Sequence, residues 1–220
     1  MPAIVNICFH GIGTPARQME PGEDRYWISH DLFREVLDEV AGRPEVRLSF
    51  DDGNASDIEL GLPGLEERGL RATFFVLAAR FGGGGSLSED DVRALRDRGM
   101  AIGSHGMHHV PWRGLDERAA REEMVEARDR IADVVGRPVD RAALPLGRYD
   151  RRALGRLRAA GYREVSTSDR RRARDGAWLQ PRYSVTREDT IASLRTHVLA
   201  PPPLTERLSR EVVGLVKRWR

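Results

Sequence analysis

Short apolar runs alternate along the chain with segments whose apolar residues recur at helical spacing. Residues 3–9 (AIVNICF) form a short apolar run, the pattern of a buried strand. Residues 30–41 set Leu32, Phe33, Val36, Leu37 and Val40 at helical intervals. Residues 46–50 (VRLSF) predict a second strand, 57–69 a helix closing at Gly69 that Pro63 would kink, and 72–77 (ATFFVL) a third strand. Ser88, with Asp91 three residues on, is a capping box opening a helix through Arg98, ahead of a fourth strand at 100–103. Residues 115–135 read as a long charged helix with Met124, Ala127, Ile131 and Val135 on one face, stopped by Gly136 and Pro138. A fifth strand is predicted at 142–144, a helix over 150–160 and a strand near 163–167. Residues 10–29 read as a long loop rich in Gly, Pro and charge, and the pattern after 170 is less regular. Three prolines at 201–203 set off a final amphipathic helix, 204–219.

Strand and helix in series imply a parallel sheet with helical crossovers. About seven such units favour a distorted (β/α) barrel over a flat doubly wound sheet, as one domain over 1–200 with residues 201–220 as an appended helix. Either architecture puts its chemistry at the C-terminal ends of the strands. Lys+Arg 36 against Asp+Glu 34 leaves a net charge of +2, no basis for a nucleic-acid partner, and RRRAR at 170–174 reads as a solvated loop. The one cysteine, Cys8, excludes an internal disulfide framework. No apolar run of about 18 residues predicts a transmembrane helix. The N-terminus lacks a basic start and reads as a strand, not a signal peptide, so the expected location is the cytoplasm.

Two strand ends concentrate chemistry. Ser49-Phe50-Asp51-Asp52-Gly53 closes the second strand with adjacent carboxylates, costly if both are buried and ionised. A metal relieves that cost: one carboxylate coordinates while the other, pointing elsewhere, acts as a base. Alone, Asp52-Gly53 reads equally well as a turn. Gly103-Ser104-His105-Gly106-Met107-His108-His109 closes the fourth strand, and it holds three of the six histidines. His105 and His109, four apart on one turn, suit one divalent cation, and His108 points to the opposite side. Asp52, His105 and His109 give one oxygen and two nitrogen donors and leave a position open, as a catalytic site requires. Zn²⁺ fits this set, and Co²⁺, Ni²⁺, Mn²⁺ and Fe²⁺ are compatible.

The paired motifs, with the intervening Ala72-Thr73-Phe74-Phe75-Val76, resemble the polysaccharide deacetylase (NodB-homology) family over residues 46–165. That resemblance implies a distorted barrel, an N-acetylated carbohydrate substrate and a metal-activated water, with Asp51 as base and Asp52, His105 and His109 as metal ligands. The third family motif, similar to RPPYG, stands here as Ala143-Leu144-Pro145-Leu146-Gly147. Ala143 replaces the arginine that steadies the base, and the backbone N–H of Leu146 falls where the family holds the oxyanion. An Ala-x-Pro-x-Gly motif is similar to the poly-N-acetylglucosamine deacetylase-like branch. In that branch an early Tyr-His pair, here Phe9-His10, supplies the acid, and this implies His10 in that role. The family's late Leu-x-His motif is only loosely matched by Leu194-Arg195-Thr196-His197, which makes His197 the alternative acid. Trp112, Arg113, Trp178 and Asp169 are further candidates for the site's rim, and Glu23, Asp24, Tyr26 and Trp27 for a closing loop.

The expected activity is therefore metal-dependent N-deacetylation of a polysaccharide or of a lipid- or nucleotide-linked sugar. A hydrolase of a non-peptide C–N bond in a small amide is the second reading, kept open by the missing arginine and aromatic of the third motif. A non-catalytic scaffold is the third.

Overall fold

The computed structural model describes residues 3–201, so the helix expected over 204–219 lies outside the described residues. The elements run β1 (Ala3–Phe9), β2 (Gly11–Ile12), β3 (Trp27–Ile28), α1 (His30–Val40), β4 (Val46–Asp52), α2 (Leu62–Glu66), β5 (Ala72–Val76), α3 (Glu89–Asp97) and β6 (Ala101–Ser104). There follow α4 (Glu117–Arg121), α5 (Ala127–Val135), β7 (Arg141–Ala143), α6 (Arg151–Ala159), β8 (Glu164–Thr167), β9 (Ala173–Arg174), β10 (Leu179–Pro181), β11 (Tyr183–Ser184) and α7 (Ile191–Leu194).

Eight strands lie side by side in the order β10-β8-β7-β6-β5-β4-β1-β11, with every neighbouring pair parallel. The two ends of this order are consecutive in the chain, separated by Arg182 alone. Arg182 N donates to Thr167 O of β8 (2.8 Å), and Val185 N donates to Cys8 O of β1 (2.9 Å). Asn6 Nδ2 of β1 spans the seam to Gln180 Oε1 and Pro181 O, both at 3.0 Å. One bent strand over 179–184 thus nearly closes the sheet into a barrel, and counting it once gives the seven strands expected.

The strands alternate. On the outer face Phe9, Phe50 and Phe74 pack under Phe33 of α1, with the Phe50 and Phe74 rings stacked at 4.6 Å. The α1 helix begins where the Ser29 side chain accepts from Leu32 N, and it buries Phe33, Val36, Leu37 and Val40 on the stripe its spacing predicted. The opposite parity of β4 carries Ser49 and Asp51.

Two helices depart from the expected regularity. Pro63 has no N–H to offer the Glu59 carbonyl, and the preceding turn (Asp57–Gly61) widens instead of kinking, with Leu62 N bonded to Asp57 O. The expected helix over 115–135 runs from 117 to 135 with a similar wide turn at Glu122–Glu126, and Gly136 ends it in the left-handed region. That wide turn buries Glu123 and Met124 side by side. RRRAR at 170–174 is a loop only in part, since Ala173–Arg174 pairs antiparallel with the start of β1.

Candidate active site

The C-terminal ends of β1, β4 and β6 bring His10, Asp51, Asp52, His105 and His109 to one mouth of the barrel. Asp52 Oδ1 lies 3.4 Å from His105 Nε2 and 3.3 Å from His109 Nε2. Asp52 shares the parity of outward-facing Phe50, yet its φ of 77° breaks the strand's alternation. Among the described residues the non-glycine positions with positive φ are Asp52, His109, Leu146 and Arg170, and three of these four were named from sequence as site residues. Such conformations cost about 1–3 kcal/mol each and gather where function holds them. The Leu146 side chain is exposed, in the turn after β7.

The protonation pattern of this cluster calls for a cation. His105 Nδ1 lies 3.0 Å from Ala143 O. A carbonyl can only accept, so Nδ1 carries the proton. Burial, against the pull of Asp51 and Asp52, lowers the His105 pKa to about 4, leaving Nε2 as a lone pair at neutral pH. His109 Nδ1 likewise donates to Glu20 Oε2 at 2.8 Å. Burial alone would raise the Asp52 carboxyl, but His109, His10 and His105 hold it below its usual value. Asp52 Oδ1 is buried with no hydrogen-bond donor. Asp52, His105 and His109 thus bring three possible ligand atoms within 4.8 Å of one another. Donors 2.0–2.1 Å from a tetrahedral zinc stand roughly 3.3 Å apart, and these pairs stand at 3.3 and 3.4 Å. The residues fit a divalent cation.

Beside this tripod Asp51 is 2% exposed and gripped by Arg182, with Nη1 to Oδ1 at 2.7 Å and Nη2 to Oδ2 at 2.6 Å. Arg182 Nη1 also donates to Ser49 Oγ (2.9 Å). Burial would push the Asp51 carboxyl up, yet Arg182 and then His105 outweigh it and hold the group well below the usual carboxylate range. The arginine absent at Ala143 is thus supplied from the seam of the barrel. Sequence reasoning missed Arg182, one arginine among many in a segment without clear periodicity.

Two further carboxylates shape the site without having been foreseen. Glu123, from the wide turn before α5, accepts from Met107 N (2.9 Å), His108 N (3.0 Å) and Trp112 Nε1 (3.3 Å), fixing the loop between the two histidines. Gly106 is required there, since its φ is +94° and a Cβ would lie 2.4 Å from Glu123 Oε2. Glu20, from the first long loop, joins Arg80 to His109. In the same loop Arg17 pairs with Glu23 and donates to Asn54 Oδ1.

His10 stacks on Tyr26 with ring centroids 4.7 Å apart, and its buried Nδ1 has no partner. Cys8, His10 and Asp51 offer ligand atoms within 4.8 Å of one another. Burial pushes the Cys8 thiol up, so it stays protonated, and both Asp51 oxygens already face the Arg182 guanidinium. That second cluster does not fit a cation. His197 is exposed on the helix after α7, because Leu194 and Val198, four apart, turn the opposite face inward. Trp112 is buried behind the histidine loop and lines no rim. Trp178 Nε1 donates to Tyr162 O (2.8 Å), Asp169 accepts from Tyr149 and Thr167, and exposed His108 faces Glu122.

A family model described as polysaccharide deacetylase matches residues 38–165. The YxkH protein of Bacillus subtilis (strain 168), which bears a polysaccharide deacetylase name, is 26% identical over 124 residues, 56% of this chain and 44% of that protein. The chain thus spans less than half the length of that relative. In fold it is similar to the Streptococcus pyogenes deacetylase PplD, solved with acetate (TM-score 0.76, 19% identity, 91% of this chain and 99% of that one). It is similar also to IcaB from Ammonifex degensii (TM-score 0.70, 22% identity, 88% and 94%). The matched segment covers more than half of the chain and carries both strand-end motifs; the chain belongs to the polysaccharide deacetylase family.

Proposed function

We propose that the protein is a metal-dependent hydrolase that removes N-acetyl groups from an N-acetylated saccharide. The observation that carries this reading is the Asp52, His105 and His109 tripod standing beside a second carboxylate, Asp51, that a buried arginine keeps ionised. A divalent cation at the tripod, zinc fitting the donors best, supplies Lewis-acid polarisation of water and of a carbonyl oxygen. The chain's own groups do the rest. Asp51, ionised and aimed by Arg182, takes the proton of the attacking water. The Leu146 backbone N–H, in the turn after β7, is the donor for the developing oxyanion that the family resemblance implies. His10, held against Tyr26, gives a proton to the departing amine, which an amide needs because an amine anion leaves very poorly. The Ala143-Leu144-Pro145-Leu146-Gly147 motif and Phe9-His10 favour oligomeric N-acetylglucosamine as the substrate to test first. The small-amide reading rested on the missing arginine and aromatic of the third motif; Arg182 weakens the first of these supports, and Leu146 leaves the second in place.

Acetate release from N-acetylglucosamine oligomers should require bound metal, vanish on chelation and return with Zn²⁺ or Co²⁺. Ammonia or formate release from small amides, with no acetate from any saccharide, would overturn the reading. A second expectation concerns Glu20. It holds the N–H of His109, and such outer carboxylates orient the ring and raise its basicity. Glu20→Gln should weaken zinc affinity by about 10–100-fold in a competition titration against a chromophoric chelator. An unchanged affinity would remove Glu20 from the site.

A further inference from the structure

Arg182 faces a second polar space. At the end of the barrel opposite the histidines, a cavity of about 200 Å³ is lined by Arg182, Arg141, Arg47, Glu164, Gln180 and their neighbours. Arg47, Arg141 and Glu164 stand at or near the starts of β4, β7 and β8, which places this cavity at the N-terminal ends of the strands.

The cavity has donors to spare. Arg182 is buried and its Nη atoms are spent on Asp51 and Ser49, yet its Nε, equally buried, has no partner. Arg141 donates Nη1 to Thr73 Oγ1 (3.2 Å), and among the described residues no carboxylate lies within 4.0 Å of it. Arg47 is paired with Asp175, so its charge is answered. Several acceptors are already taken. Gln180 Oε1 receives Asn6 Nδ2, and Ser49 Oγ receives Arg182. Glu164 is the one acid in the lining. A water at Arg182 Nε would have to place two protons of its own, whereas a ligand that only accepts has no such need.

We propose that this cavity binds a small monovalent anion, a halide or a carboxylate of acetate size, on the free N–H of Arg182 with Arg141 as the second cation. The volume admits such an ion. Its occupant shares one guanidinium with Asp51, so the base is touched from the far end of the barrel. The site does not depend on the deacetylase reading, since none of the tripod residues lines it.

Crystals of the full chain grown in sodium bromide should show an anomalous peak within hydrogen-bond reach of Arg182 Nε. In solution, stepwise replacement of gluconate by bromide at constant ionic strength should raise the melting temperature saturably, by about 4 °C at ten times the dissociation constant. Arg141→Gln should weaken that response at least tenfold. Water alone beside Arg182, or a melting response identical in wild type and Arg141→Gln, would overturn the proposal. Should the variant fail to fold, the bromide map decides. A bromide site in a protein that releases no acetate would uphold this inference while the activity reading falls, and chelation of the metal separates the two in the other direction.

Discussion

Arg182→Met is expected to lower stability by about 3–5 kcal/mol, because it leaves a fully buried carboxylate without its counter-charge. For a chain of this size that is a fall in melting temperature of roughly 10 °C. The carboxyl of Asp51 lies well below its ordinary value because Arg182 outweighs burial. A depressed carboxyl adds stability above the unfolded pKa of about 3.9, and that stability is lost as pH falls toward the folded value. Without Arg182 the largest opposing charge is gone, burial prevails and the sign reverses. The unfolded chain then ionises more readily, and the variant's deficit grows as pH rises from about 4 toward neutrality. Calorimetric melts at both pH values test this. The double variant Asp51→Asn with Arg182→Met should recover much of the lost melting temperature and none of the activity, since it removes both charges together. A single variant that melts like the wild type would show that the pair does not hold the site.

Asp51→Asn should cut kcat by about 10²–10⁴-fold, the usual worth of a positioned general base. The amide keeps the shape and cannot take a proton. Asp52, His105 and His109 are untouched, so metal affinity should stay within a few-fold of wild type, measured by the same competition titration proposed for Glu20. The substitution leaves Arg182 buried without its partner, so rates belong at temperatures well below the variant's lowered melting point. Wild-type turnover would place the base elsewhere. Loss of metal together with turnover would make Asp51 a ligand.

Strands β1, β4, β5 and β6 were legible because each is a short run rich in apolar residues, and the two motifs sit at the ends of β4 and β6. The bent closing strand was not. It offers only Leu179–Pro181 and Tyr183–Ser184, with a proline that cannot donate and an arginine at the break. Reading the third motif therefore found Ala143 where a cation was wanted and had no means of seeing that Arg182 arrives from across the seam. Glu123 was hidden differently. Its charge marks it as one more surface acid, although Ala120 and Ala127, three before and four after it, lie on the buried face where it accepts from the histidine loop. Glu20 lies in a loop whose path no periodicity describes. The sign of φ at Asp52 and His109 is likewise invisible in a list of side chains, though Gly53 beside Asp52 hints at a tight turn.

The strand that closes the barrel is also among the last parts of it to leave the ribosome. A chain cut at residue 165, where the family match ends, would retain both strand-end motifs and still lack the guanidinium that keeps Asp51 charged. In the order of synthesis both strand-end motifs thus precede the counter-charge that Asp51 needs, and the proposed chemistry waits on the closing strand.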